Sequence, residues 1–272
     1  MVKLSDHQSA RTTKLLLIGD TGTGKTGSLA SLADAGYNIR LVDLDNGADV
    51  LKNILRGPKS PYKNAANALD RIEYETITDP MVQRGNKLVP RTAQVWSRTV
   101  KLLDNWETET AKFGPISTWT EQDVLVIDSL TMLSTAALNF VLSMNARLGQ
   151  QPQQSDWYGG QQLIEGLMQM LYDASVKCNV IVMSHIAFIE NEHGATHGYP
   201  STLGKALSPK LGRYFNTVLM ARTAGQGQGA KRRIFTSTVG TVELKNTSPL
   251  TVKPEYDLST GLAEYFRDVR EA

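Results

Sequence analysis

The stretch "GDTGTGKT", Gly19 to Thr26, restricts the fold of this chain more than any other feature. It follows the apolar run "KLLLIG", which reads as a buried strand, and runs into "KTGSLASLADA", which reads as a helix ending near Gly36. Gly19, Gly24, Lys25 and Thr26 fit the G-x-x-x-x-G-K-[ST] phosphate loop in the strand-then-helix context which that pattern requires. Glycines let backbone N–H groups curl around phosphate oxygens at a helix N-terminus. A lysine there neutralises the outer phosphates, and a threonine hydroxyl suits Mg²⁺. The nucleotide-binding segment is therefore expected to be Gly19, Asp20, Thr21, Gly22, Thr23, Gly24, Lys25, Thr26 and Gly27. "NIRLVDLDNG" supplies the next strand, so the chain opens a parallel sheet with right-handed crossovers.

Further along, "RIEYETI" reads as a strand and "TAQVWSRTVKLLDNWETETAKF" as an amphipathic helix that carries Trp96 and Trp106 on its core side. "DVLVIDS" is a continuous apolar strand, and "LSTAALNFVLSMNARL" returns to helical periodicity. "GQQPQQSDWYGG" is expected to break that periodicity. A helix over "QQLIEGLMQMLYDASVK" then feeds the strand "NVIVMSH", followed by a loop, "IAFIENEHGATHGYPSTLGK". "TVLMART", "RRIFTST" and "TVELK" read as three short strands, with "GQGQGAK" as a hairpin tip and "LAEYFRDVREA" as a terminal helix. The expected division is a polar segment over 1–13, a core over 14–254 and a helical tail over 255–272.

At 272 residues the chain can bury the core of one large α/β domain. A net charge of +2 does not by itself attract nucleic acid, so any such attraction must come from local clustering. Between Leu203 and Lys245 there are eight basic residues and one acid, Glu243, a stretch that faces an anion, a partner subunit or solvent. The lone Cys178 excludes an internal disulfide and fits a reduced compartment. No run approaches the roughly 18 apolar residues of a membrane span, and the start lacks a signal-peptide core, so a cytoplasmic protein without a membrane partner is expected.

Beyond the phosphate loop, Asp128 ends an apolar strand, where a carboxylate points into the crevice that binds ligands, and so suits the metal site together with Thr26. Ser129 follows it where a water-activating glutamate often stands, so the base is sought in "LVDLDNG". There Asp43 and Asp45 share one face, and either orients the attacking water or caps a turn. His185 lies just past another apolar strand, where an imidazole can hydrogen-bond a terminal phosphate. His193 and His197 are four apart in a glycine-containing loop, which does not suit a zinc site.

In this order, the phosphate loop, "VIDS" and the polar-ended strand make the chain resemble the RecA/RadA-type ATPase core over about Lys14 to Lys245. It looks most like phage-encoded RecA-like nucleotide-binding proteins of recombination and single-strand annealing. The resemblance implies an α/β RecA-like P-loop fold: a mostly parallel central sheet flanked by helices, with a C-terminal β-hairpin region. It further implies ATP and Mg²⁺ as cofactors, a homo-oligomeric ring or filament, and single-stranded DNA as a partner. Asp45 stands where the family has the glutamate of D-x-E, and His185 where many relatives have glutamine. Lys25, Asp45, Asp128, His185 and Lys245 are the implied catalytic set. Lys245 matches the lysine of K-N-R-x-G, which reaches a neighbouring subunit's γ-phosphate, although Thr247 replaces the arginine.

The family's DNA-contacting loops map to about Gly149–Gly160 and Ile186–Gly204. The first offers Gln150, Gln151, Gln153, Gln154, Trp157 and Tyr158 for amide contacts and base stacking, unless the aromatics anchor the next helix. Lys231, Arg232 and Arg233 are further candidates for DNA or for the trans-acting role. Neither loop is basic, so a second expectation stands beside the first: a nucleotide-gated assembly protein that recruits a single-strand-binding or replication partner.

Overall fold

The computed structural model describes residues 12–109, 111–225 and 230–271. In chain order its elements are β1 (Lys14–Ile18), α1 (Lys25–Asp34), β2 (Asn38–Asp43), α2 (Asp49–Arg56), α3 (Ala65–Leu69), β3 (Ile72–Thr76), β4 (Met81–Arg84) and β5 (Lys87–Pro90). There follow α4 (Val95–Asp104), β6 (Trp106–Glu107), β7 (Lys112–Gly114), β8 (Asp123–Asp128), α5 (Leu130–Met144), α6 (Gln154–Tyr172) and β9 (Asn179–Ser184). The chain closes with β10 (Ile186–Glu190), β11 (Thr196–Pro200), β12 (Thr217–Ala224), β13 (Lys231–Phe235), β14 (Glu255–Asp257) and α7 (Gly261–Arg270).

The apolar runs become strands that are buried on both faces, as parallel strands covered by helices must be. They form an eight-stranded sheet in the order β14-β13-β12-β1-β9-β8-β2-β3. From β12 to β3 every pairing is parallel, whereas β13 and β14 pair antiparallel. This is the expected α/β class, with the expected antiparallel hairpin on one edge. One face carries Leu16, Ile18, Leu125 and Ile127 against residues of α4, α5 and α6. The other carries Leu15, Leu17, Val124 and Val126 against residues of α1, α2 and α7.

Register decides where the chemistry goes. Ile18 pairs with Ser184, Asp128 with Met183 and Asp43 with Asp128, so β1, β9, β8 and β2 all end at one level. The loops that leave those ends, carrying the phosphate loop, His185, Ser129 and Asp45, are therefore side by side.

Several local expectations are corrected. The helix expected to carry both tryptophans ends at Asp104, and Trp106 is fully buried on β6 against Trp119, with ring centroids 5.7 Å apart. The glutamine-rich break is shorter than expected, because α6 begins at Gln154 and runs through Gly159 and Gly160. Asp156 drives that early start: its carboxylate accepts from the N–H of Gln153 at 2.8 Å and from Asn145 Nδ2 at 2.9 Å, and pairs with Arg147. Gly160 tolerates the helix by letting it approach Leu138 and Leu203, since a Cβ there would meet Leu203 at 2.5 Å. The loop after His185 is a β-hairpin, β10–β11, with His193 in its turn and His197 stacked on Tyr199. "TVELK" forms only isolated bridges, one between Lys245 and Val218, and the third edge strand is β14 instead. The tip "GQGQGAK" falls largely on 226–229, outside the described residues, as does most of the polar segment 1–13.

The terminal helix packs on its own sheet. Leu262, Tyr265, Phe266 and Val269 of α7 are buried in the same cluster as Leu29 and Leu32 of α1, and β14 completes the sheet edge. No described helix is long and apolar enough to cross a membrane.

Candidate active site

Helix α1 starts at the end of β1 with no side-chain cap, and its Gly24 sits in the left-handed region at φ 93°. Uncapped N–H groups at that terminus face the loop, which gives the backbone an anion-binding concavity. Gly19 is needed for close approach, because a Cβ there would lie 2.5 Å from the carbonyl oxygen of Ala221. Lys25 is buried, and its ammonium donates to the carbonyls of Gly19 at 2.8 Å and Asp20 at 3.2 Å. Burial lowers its pKa, opposed by the charges of Asp128, Asp45 and Asp20. The lysine is thus held in the loop by two backbone carbonyls.

Thr26 Oγ1 donates to Asp128 Oδ2 at 2.5 Å. Asp128 is 2% exposed, and burial pushes its carboxyl up to about 6, with Asp45 and Asp43 adding to the rise and Thr26 and Lys25 opposing it. A buried carboxylate next to a hydroxyl, with two further acids and one lysine nearby, is a hard oxygen donor set short of positive charge. That chemistry fits Mg²⁺, which takes one or two protein oxygens and completes its shell with phosphate and water.

The structure separates the two acids of "LVDLDNG". Asp43 turns inward and accepts from the N–H groups of Gly47 at 3.0 Å and Ala48 at 3.2 Å and from Thr76 Oγ1 at 3.2 Å, so its carboxylate is committed to the turn before α2. Asp45 is exposed and accepts from Ser129 Oγ at 3.0 Å. Asn46 at φ 54° makes the reversal possible, and the "DNG" sequence was the legible signal for it. Ser129, set aside in the sequence as the residue that replaced a glutamate, is the group that holds Asp45 in place.

His185 Nδ1 lies 3.3 Å from Thr131 Oγ1, and the same hydroxyl accepts from the His185 N–H at 3.3 Å. Burial and then the Lys25 charge lower its pKa, which favours the neutral imidazole, while Asp45 and Asp20 oppose the shift. Thr131 carried no sequence signal for this pairing. The hairpin that follows His185 also walls a cleft of about 260 Å³ with Asp20, Met220 and Arg222, so the loop and the hairpin share a surface.

The remaining candidates are dispersed. Lys245 donates to the carbonyl of Phe215 at 2.8 Å, ahead of the first residue of β12, and so lies toward the ends of the parallel strands opposite the phosphate loop. Trp157 and Tyr158 are near the start of α6, 39% and 64% exposed, rather than in a loop. The basic stretch is divided: Arg213 pairs with Glu165 and stacks on Tyr214, while Lys231, Arg232 and Arg233 lie along β13.

A glycine-rich loop opening a helix at the end of a central parallel strand, with a threonine–aspartate pair beside its lysine, defines a P-loop nucleotide-binding fold. The AAA_24 family model, described as an AAA domain, matches residues 11–248, and the chain belongs to that family. No curated protein matches the chain in sequence. Among solved structures it is similar to the RadB recombinase, at 15% identity over 82% of this chain and 79% of that one, with a TM-score of 0.44. A KaiC-like protein of Pyrococcus horikoshii OT3 matches at 15% identity over 90% and 84%, with a TM-score of 0.43. The flagellar accessory protein FlaH of Methanocaldococcus jannaschii matches at 13% identity over 89% and 83%, with a TM-score of 0.42.

Proposed function

We propose that this protein is a RecA-like, Mg²⁺-dependent ATPase that acts as a homo-oligomer in the cytoplasm and couples hydrolysis to single-stranded DNA in recombination, annealing or repair of the phage type. The observation that carries the reading is the convergence of Lys25, the Thr26–Asp128 pair, the Ser129-held Asp45 and His185 at one end of the parallel strands. When bound, Mg²⁺ supplies positive charge to the phosphate oxygens. Lys25 adds its own charge at the loop, and Thr26 and Asp128 hold the metal side of the site. Asp45 orients the attacking water and accepts its proton, while Ser129 fixes the carboxylate. His185, kept neutral and tied to Thr131, sits at the head of β10 and relays the state of the terminal phosphate to the hairpin. Phosphoryl transfer rests on positioning and charge neutralisation, so this set is sufficient.

Exposed Trp157 and Tyr158 on α6 and exposed Phe188 on β10 support stacking on unpaired bases. Lys245 lies away from its own chain's loop, which supports a role at a neighbouring subunit's site. The assembly reading keeps one specific support: the β10–β11 hairpin carries Glu190 and Glu192 and no lysine or arginine, a poor match to a phosphate backbone.

The test is ATP turnover by wild type and Asp45→Asn, with and without single-stranded DNA at two salt concentrations. Asp45→Asn is expected to keep nucleotide binding and lose about a hundredfold or more in turnover, the usual worth of a general base. Retained turnover would remove Asp45 from the role. Wild-type turnover is expected to rise with DNA, less so at high salt. Turnover indifferent to DNA at both salts would transfer the reading to the assembly protein.

A further inference from the structure

Side chains alternate across β13. Ile234 projects into the cluster of α1 and α7, so Arg232 projects to that same face, while Arg233 and Lys231 project to the other with Phe235. At Gly24, a Cβ would lie 2.4 Å from Leu258 Cδ2 and 3.3 Å from Arg232 Cδ. The stem of Arg232 therefore lies against the glycine that opens α1. Leu258 is wedged beside it, and its N–H donates to the Arg232 carbonyl at 3.1 Å. Arg232 is exposed and forms no ion pair among the described residues. Asp257, the acid on the adjoining strand, is held below the usual carboxylate range first by the Ser259 hydroxyl, with Arg233 and Lys231 adding to it.

A further cation here would add to the charge that Lys25 and the metal bring to the phosphates. The loop's one lysine is surrounded by Asp20, Asp45 and Asp128, so the cluster is net negative before any polyphosphate enters. A guanidinium is always charged and offers a planar fork that matches phosphate oxygens. We propose that Arg232 is a second phosphate-binding cation of the nucleotide site, supplied in cis by the same chain. This rests on the nucleotide reading above and reassigns an arginine that the sequence grouped with DNA or a neighbouring subunit.

The test is direct binding of fluorescent ADP and a non-hydrolysable ATP analogue, with Mg²⁺, to full-length wild type, Arg232→Ala, Arg232→Lys and Lys25→Ala over a wide range of protein concentration. Arg232→Ala is expected to weaken both ligands about tenfold, equal to about 1.4 kcal/mol, at every protein concentration. Arg232→Lys should recover part of the loss, with an unchanged thermal midpoint in the absence of ligand. Wild-type affinity in Arg232→Ala, where Lys25→Ala has lost binding, overturns the inference and leaves the loop assignment intact. A defect that disappears on dilution assigns the arginine to a neighbouring subunit and also overturns it. Undiminished binding by Lys25→Ala defeats the nucleotide reading itself, and the inference with it.

Discussion

Lys25→Ala is expected to abolish measurable ATP hydrolysis, by at least about a hundredfold, because on the proposed reading it deletes the cation that meets the charge developing on the transferred phosphoryl group. The fold should survive. Lys25 is buried, burial lowers its pKa, and among the described residues its ammonium bonds to the Gly19 and Asp20 carbonyls alone, so losing it relieves a desolvation cost. The clearest measurement is the ligand-induced shift of the thermal midpoint. Nucleotide at a hundred times its dissociation constant stabilises a native protein by about 2.7 kcal/mol, several degrees in a chain of this size. Wild type should show that shift with nucleotide and Mg²⁺, and Lys25→Ala none. An equal shift in both proteins would defeat the phosphate-loop assignment.

Asp128→Asn should separate stability from activity. The folded carboxyl titrates at about 6 against an ordinary 3.8, because burial disfavours its charge. The native state then binds the proton more tightly than the unfolded state. Stability contributed by protonation is complete below the ordinary value and lost as pH rises through the folded one. At neutral pH without metal the ionised group costs on the order of 2–3 kcal/mol. Asparagine keeps an oxygen for Thr26 and carries no charge. The variant should therefore melt several degrees above wild type at pH 7 without nucleotide or Mg²⁺, and the two should converge below about pH 4. Its Mg²⁺-dependent turnover should be lost. Equal midpoints across the whole pH range, together with retained turnover, would mean that Asp128 is neither strained by burial nor part of the metal site. A gain in stability from removing a functional carboxylate is the expected trade where a site holds charge against desolvation.

The reach of the sequence follows the range of the interactions involved. β1, β2, β8 and β9 were readable because a strand buried on both faces leaves a continuous apolar run, and each run ends just before or at the level of the site, at Ile18, Asp43, Asp128 and Ser184. The phosphate loop was readable because its glycine spacing is a local backbone requirement. The start of α6 was not readable. A reader sees Gly159 and Gly160 as a break, whereas the helix is held by Asp156 reaching back to Gln153, Asn145 and Arg147, and by contact with Leu203 far along the chain. The hairpin β10–β11 was hidden for a related reason, its strands being short and only half buried.

The site divides in the same way. Sequence alone determined that a phosphate loop opens a helix, that Asp128 stands at a strand end and that an acid pair closes the second apolar strand, since each depends on a few consecutive residues. Only the tertiary structure decided which acid of the pair is committed to a turn and which faces the site, that Ser129 holds Asp45, that Thr131 seats His185 and that Arg232 lies beside Gly24. Those choices depend on the register of strands separated by up to two hundred residues of chain, and on which face each side chain takes in that register, quantities that no local pattern encodes.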